Sequence, residues 1–131
     1  MGCAGLNPAR LAETAAQLVA ADRGLLAIDE SNATCNRRFA ALDIAQTAEN
    51  RQRWRELIVT TPDINQSISG KILYDETIHQ ATGDGRPFVD VLADAGILVG
   101  IKVDTGAKPF AGFPSESVTE GLDDLRERLS P

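Results

Sequence analysis

The chain has 131 residues, 43% apolar and 24% charged, the makeup of one soluble globular domain with a modest core and not of a largely disordered chain. Its formal net charge of -6 argues against a nucleic-acid or anionic-membrane surface, since both reward a basic face, although a few local cations can still hold a phosphate. Two cysteines, Cys3 and Cys35, and a single histidine, His79, supply neither a disulfide framework nor a metal-ligand set, so no metal is expected and both thiols are read as free in a reducing compartment.

The start, Met1-Gly2-Cys3-Ala4-Gly5-Leu6, imitates an N-myristoylation signal but lacks the Ser or Thr required where Leu6 stands. No basic stretch leads into an apolar run with a cleavage site, and no apolar run approaches the ~20 residues that span a bilayer. The expectation is a cytoplasmic chain.

From Pro8 to Ala21 the apolar residues Leu11, Ala12, Ala15, Ala16, Leu18 and Val19 recur at helical spacing, with Pro8 near the start and Asp22-Arg23-Gly24 at the end. Gly24 to Ile28 is a short apolar run without polar alternation, which reads as a strand covered on both faces, and it ends abruptly at Asp29-Glu30-Ser31-Asn32. Residues 33 to 42 suit a short helix. Thr47 to Thr60 suits a second, capped by Thr47, with Trp54, Leu57 and Ile58 as its buried stripe and Pro62 beyond its end. Ile68 to Tyr74 is a second strand, Glu76 to Ala81 a helical turn, and Gly83-Asp84-Gly85-Arg86-Pro87 a loop with strong turn chemistry. Phe88 to Ala95 reads as a helix with Phe88, Val91 and Leu92 inward, closed by Gly96 where left-handed backbone is wanted. A third strand is expected from Ile97 to Val103, then a Gly- and Pro-rich loop over 106 to 116, then a last helix from Thr119 to Leu129 with Leu122, Leu125 and Leu129 on one side. An opening helix followed by three strand–helix units implies a parallel sheet with helices packed outside. Both a doubly wound sheet and a (β/α)8 barrel fit. A barrel needs about 250 residues, so a barrel reading makes this chain part of one.

In such folds chemistry collects where strands end. Asp29 closes the first strand and Lys102 sits near the end of the third, with Asp104 two residues on. A lysine in an apolar strand is costly to bury unpaired, and Asp29 is its natural partner. The pair reads either as a functional site or as a structural ion pair within the sheet. Ser31, Asn32 and Thr34 stand where a helix begins, with Arg37 and Arg38 a turn further. They suit phosphate binding, or simply an N-cap beside solvated arginines. His79 has no second ligand at metal spacing, Trp54 reads as core, and no GxGxxG or phosphate-loop pattern follows a strand.

The runs Arg23-Gly-Leu-Leu-Ala-Ile-Asp-Glu-Ser31, Glu49-Asn-Arg51, Ile68-Ser-Gly70, Ile72-Leu-Tyr-Asp-Glu-Thr77, Asp84-Gly-Arg-Pro-Phe88, Gly100-Ile-Lys-Val-Asp104 and Gly121-Leu-Asp123 occur in order. Together they resemble class I fructose-1,6-bisphosphate aldolase over roughly residues 9 to 129, and Ser31-Asn-Ala-Thr-Cys35 is most similar to bacterial, cyanobacterial and plastid-like members. The resemblance implies an α/β fold, a partial (β/α)8 TIM barrel in which residues 1–131 supply the N-terminal helix and the first three βα units of one domain. It also implies a lyase of glycolysis and gluconeogenesis that cleaves fructose 1,6-bisphosphate to dihydroxyacetone phosphate and glyceraldehyde 3-phosphate through a lysine Schiff base, with no cofactor or metal. The implied partner is a phosphorylated sugar, with neither nucleic acid nor membrane, in a parent enzyme that is a homo-oligomer. By the same resemblance Asp29 and Lys102 are the catalytic candidates, while Ser31, Thr34, Arg38 and Arg51 are candidates for substrate and phosphate binding.

Departures are visible. Val103-Asp-Thr-Gly106 stands where the family usually has Val-Asp-Lys-Gly, Lys71 replaces a commonly apolar residue, and Thr34 stands where many members have Ser. The family's Schiff-base lysine has no match among Lys71, Lys102 and Lys108, so residues 1–131 alone are expected to be inactive. The alternative expectation is a genuine short, non-catalytic interaction module built on the same fold.

Overall fold

The structure, a computed structural model, describes residues 7–20 and 22–129. The readings that fall on Met1–Leu6, Cys3, Ala21 and Ser130-Pro131 lie outside the described residues. Contacts divide the chain into two compact units, Met1–Ile101 and Lys102–Pro131.

In the first unit, helix α1 spans Pro8–Leu18, with Pro8 in the first turn and the Asn7 side chain accepting from the Ala9 N–H at 3.0 Å. Strand β1 is Gly24–Ile28, helix α2 Asn32–Ala40, helix α3 Ala48–Val59, strand β2 Ile68–Leu73, helix α4 Asp75–Ile78, helix α5 Phe88–Asp94 and strand β3 Leu98–Ile101. The strands form one parallel sheet in the order β1-β2-β3, with Ile28 beside Leu73 and Leu73 beside Ile101. Ser31 and Thr47 cap α2 and α3 through their hydroxyls, and Gly96, at φ +70, takes the left-handed backbone that follows α5.

Side chains alternate across a strand, so β2 divides its residues between two faces. Ser69, Lys71 and Leu73 are buried. Leu73 joins Ile28, Val59, Phe88, Leu92 and Ile97 in the core between sheet and helices. Each of these large side chains contributes about 1.5–3 kcal/mol by leaving water. The other face of β2 presents Gly70 and Ile72 to an apolar cavity of about 350 Å³, also lined by Leu18, Leu25 and Leu98. A β-carbon at Gly70 would lie 2.7 Å from a terminal methyl of Leu18 and 2.9 Å from one of Leu25, so both leucines pack directly over this glycine.

One reading of a helix face is corrected. In α3 the buried residues are Arg51, Arg55 and Val59, whereas Leu57 is 71% exposed and Trp54 and Ile58 are only half-buried. Positions 51, 55 and 59 form a single stripe at i, i+4, i+8, and it faces inward because both guanidinium groups find acceptors there. Trp54 lies edge-on to Phe39 with ring centroids 6.2 Å apart. In α5 the expected face is found: Phe88 and Leu92 are buried and half-buried Val91 packs against the same core.

The second unit departs further from expectation. Residues 106 to 120 form an antiparallel hairpin, β4 Gly106–Phe110 and β5 Phe113–Glu120, in place of the expected loop and helix start. Gly112, at φ +81, makes the turn, and Phe110 and Phe113 stack across it at 5.4 Å. The last helix, α6, is only Leu125–Arg128, and Leu122 is 86% exposed, so no leucine stripe forms. Gly121, at φ +151, passes so near the 103–104 backbone that a β-carbon would sit 2.7 Å from Asp104 Cα and 2.8 Å from the Val103 oxygen.

Candidate active site

The polar residues of the first unit gather just past the C-terminal ends of β1 and β2. Asp29 and Glu30 follow β1 directly, Ser31 caps α2, and Glu76 lies in the first turn of α4 after β2. Two arginines one turn apart on α3 meet these carboxylates. Arg51 binds Glu76 in bidentate fashion, Nε to Oε1 at 2.8 Å and Nη2 to Oε2 at 2.7 Å, and its Nη1 donates to the Asn36 side chain at 2.9 Å. Asn32 also donates to Glu76, at 2.8 Å. Arg55, 2% exposed, donates to Glu30 Oε2 at 2.8 Å, to the Glu30 carbonyl at 2.6 Å, to Cys35 Sγ at 3.3 Å and to the Ile28 carbonyl. Its guanidinium also lies 4.5 Å from the centre of the Trp54 ring, a cation–π contact.

These contacts set the charges. The Arg51 hydrogen bonds hold the Glu76 carboxyl below the ordinary carboxylate range and, in return, raise Arg51. Burial alone would raise Glu30, but bonds from Arg55 and Arg38 outweigh it and leave Glu30 lowered. Burial also raises the free Cys35 thiol. The result is a fixed array of ionised carboxylates and guanidinium groups.

Each candidate from the sequence has a definite place. Ser31 Oγ accepts from the Thr34 N–H at 3.3 Å and lies 3.2 Å from the Thr34 hydroxyl, so the two oxygens sit together at the start of α2. Arg38 is exposed and reaches back to Glu30 Oε1 at 2.5 Å. Asp29 is half-buried in the first unit. Lys102 opens the second unit, where it donates to Asp104; that bond holds the Asp104 carboxyl below its usual range, and the Gly106 N–H bonds the other oxygen at 3.0 Å. Asp29 and Lys102 thus fall in different units. Arg55 and Glu76 escaped the sequence reading. The signal available for them was the spacing of Arg51 and Arg55, four apart on one helix, with Glu30 and Glu76 each a few residues past a strand.

Lys71 is a separate case. It is 1% exposed, faces the helices and donates its amine to the Ile58 carbonyl at 2.8 Å, and desolvation lowers its pKa to about 8. No His, Cys, Asp and Glu cluster among the described residues is placed to hold a metal ion, and no helix among them is long and apolar enough to cross a membrane.

A parallel sheet with helices packed on it defines an α/β protein, and its charged and hydroxyl side chains collect at the C-terminal edge, where sites in such folds form. The family model described as fructose-bisphosphate aldolase class-I matches residues 10–131, and the chain belongs to that family. It is 57% identical over 120 residues to the probable fructose-bisphosphate aldolase class 1 of Xanthomonas campestris pv. campestris, a match covering 92% of this chain and 36% of the relative. It is 50% identical over 125 residues to the chloroplastic fructose-bisphosphate aldolase 3 of Arabidopsis thaliana, covering 95% and 32%. Among solved structures, fructose-bisphosphate aldolase from Plasmodium falciparum, crystallised with TRAP and a small-molecule inhibitor, superposes with a TM-score of 0.87 at 42% identity, covering 92% of this chain and 35% of that one. The chain therefore spans about a third of the length of the relatives it matches.

Proposed function

We propose that this chain supplies the first strands of a (β/α)8 barrel, and part of its substrate site, to a class I fructose-bisphosphate aldolase that cleaves fructose 1,6-bisphosphate reversibly through a Schiff base. What carries the reading is the polar array at the C-terminal ends of β1 and β2, in a chain that belongs to the aldolase family. Asp29 and Lys102 take the catalytic roles. Ser31, Thr34 and Arg38 contribute to binding a substrate phosphate at the start of α2, and Arg51 joins the binding set as the guanidinium that Glu76 and Asn36 hold in place beside it. The parent assembles as a homo-oligomer in the cytoplasm and uses no cofactor.

None of Lys71, Lys102 and Lys108 matches the Schiff-base lysine, and Lys71 is directed at a peptide carbonyl inside the helix layer. Residues 1–131 alone are therefore expected to form no Schiff base. Borohydride trapping with dihydroxyacetone phosphate tests this: no adduct is expected on residues 1–131, and a covalent adduct on any of these three lysines would overturn the assignment. The activity itself is tested with the product of the complete reading frame. Absence of fructose 1,6-bisphosphate cleavage there would leave the non-catalytic module as the better reading.

A further inference from the structure

We infer that Arg55 is a positioning residue: its guanidinium clamps the Ile28 and Glu30 carbonyls, which bracket the Asp29-Glu30 segment, and so fixes the direction in which the Asp29 carboxyl leaves the sheet. The ladder of β1 ends at Ile28, and beyond that point the backbone needs other hydrogen-bond partners. Arg55 provides them. Nη1 donates to the Ile28 carbonyl, and Nη2 donates to the Glu30 carbonyl at 2.6 Å. The first carbonyl belongs to the peptide plane entering Asp29 and the second to the plane leaving Glu30. With both planes pinned to one rigid, planar group, the φ and ψ angles of Asp29 and Glu30 have little freedom left.

The clamp is itself held. Glu30 Oε2 pairs with Nη1 at 2.8 Å, Cys35 Sγ receives Nη2 at 3.3 Å, and the Trp54 ring covers one face of the guanidinium. A guanidinium presents several donors in a fixed fork, whereas an ammonium is a single rotating point charge. Lysine at this position could bond one carbonyl and would release the other. The functional part of the inference rests on the aldolase reading, in which Asp29 meets the substrate; the geometric part does not.

The test uses the chain as its gene encodes it, with Arg55→Lys and Glu30→Gln variants, two readouts and 13C-labelled aspartate. The Asp29 carboxyl resonance is assigned by its disappearance in Asp29→Asn. In folded Arg55→Lys that resonance should shift or broaden while those of Asp84 and Asp90 stay in place. The kcat for fructose 1,6-bisphosphate should fall roughly ten- to hundred-fold with KM changed less than about three-fold, because small misplacements of a reacting group cost rates of this order. Glu30→Gln removes the ion pair and leaves both carbonyl bonds, so its Asp29 resonance should move clearly less than in Arg55→Lys. An unmoved Asp29 resonance in Arg55→Lys, or an equal change in Glu30→Gln, would overturn the clamp. If Arg55→Lys does not fold, the wild type decides: slow rotation and slow hydrogen exchange of the Arg55 Nη groups are expected, and free rotation would overturn it. A responsive Asp29 in a protein without aldol cleavage would uphold the clamp and sink the aldolase reading instead.

Discussion

Arg51 and Arg55 are buried because each finds well-placed acceptors for its guanidinium donors. Burying an ion costs several kcal/mol, and the cost is offset only when geometry is good and the remaining donors are used. Arg51 meets that condition with three charge-assisted or polar bonds to Glu76 and Asn36. Glu76 and Glu30 both have carboxyls lowered in the fold, which sets a sign for acid stability. Each contributes stability above the unfolded value of about 4.3, and that contribution is lost as pH falls through the lowered folded value. The urea midpoint should therefore decline below about pH 4.5. Glu76→Gln is expected to cost about 1.5–3 kcal/mol at pH 7 and to flatten that acid decline. An acid limb identical to wild type would show that the Arg51–Glu76 pair does not carry it.

At the scale of elements, β2 contains the residue least at ease with its surroundings. Lys71 occupies a core-facing position with one carbonyl for its ammonium, and burial brings its pKa down to about 8. Because the unfolded lysine keeps its ordinary value near 10.4, the unfolded chain binds more protons between about pH 8 and 10. Stability should rise with pH across that window. Lys71→Met is expected to stabilise the fold at pH 7 by about 1–3 kcal/mol and to abolish the alkaline rise. Chemical denaturation from pH 7 to 10 reads both effects, and a destabilised variant would mean the amine is better solvated than its burial indicates.

β1 and β3 were legible as apolar runs followed by a charged residue, Asp29 and Lys102, and Ser31 and Thr47 announced α2 and α3 by their cap chemistry. The inward face of α3 was not legible. It depends on carboxylates 25 residues away in either direction, and helical periodicity alone favours putting Leu57 inside. The hairpin was hidden for a different reason. β5 is exposed along its whole length, so it has no alternating apolar signature, while Leu122, Leu125 and Leu129 imitate a helix stripe. Of the site, hydroxyls and charges at strand ends could be read from sequence; the arginine that ties them together could not.

Over the whole molecule the apolar surface is unevenly covered. Leu11, Val19, Leu25, Leu42, Leu57 and Leu122 are all more than half exposed, and the sheet face that carries Gly70 and Ile72 borders an apolar cavity. Large apolar side chains left this exposed favour association. Residues 1–131, expressed alone, should sediment as concentration-dependent oligomers and melt broadly. A sharp, concentration-independent monomeric transition would show that the exposed faces are satisfied within the chain.

Gly121 carries a consequence at the level of the gene. It combines a positive φ with backbone closer than any β-carbon tolerates. Every amino-acid change at a glycine codon installs a β-carbon, alanine included. Codon 121 therefore has no mild missense allele: its first two bases are constrained together by the space around one backbone atom, while its third base is free to drift.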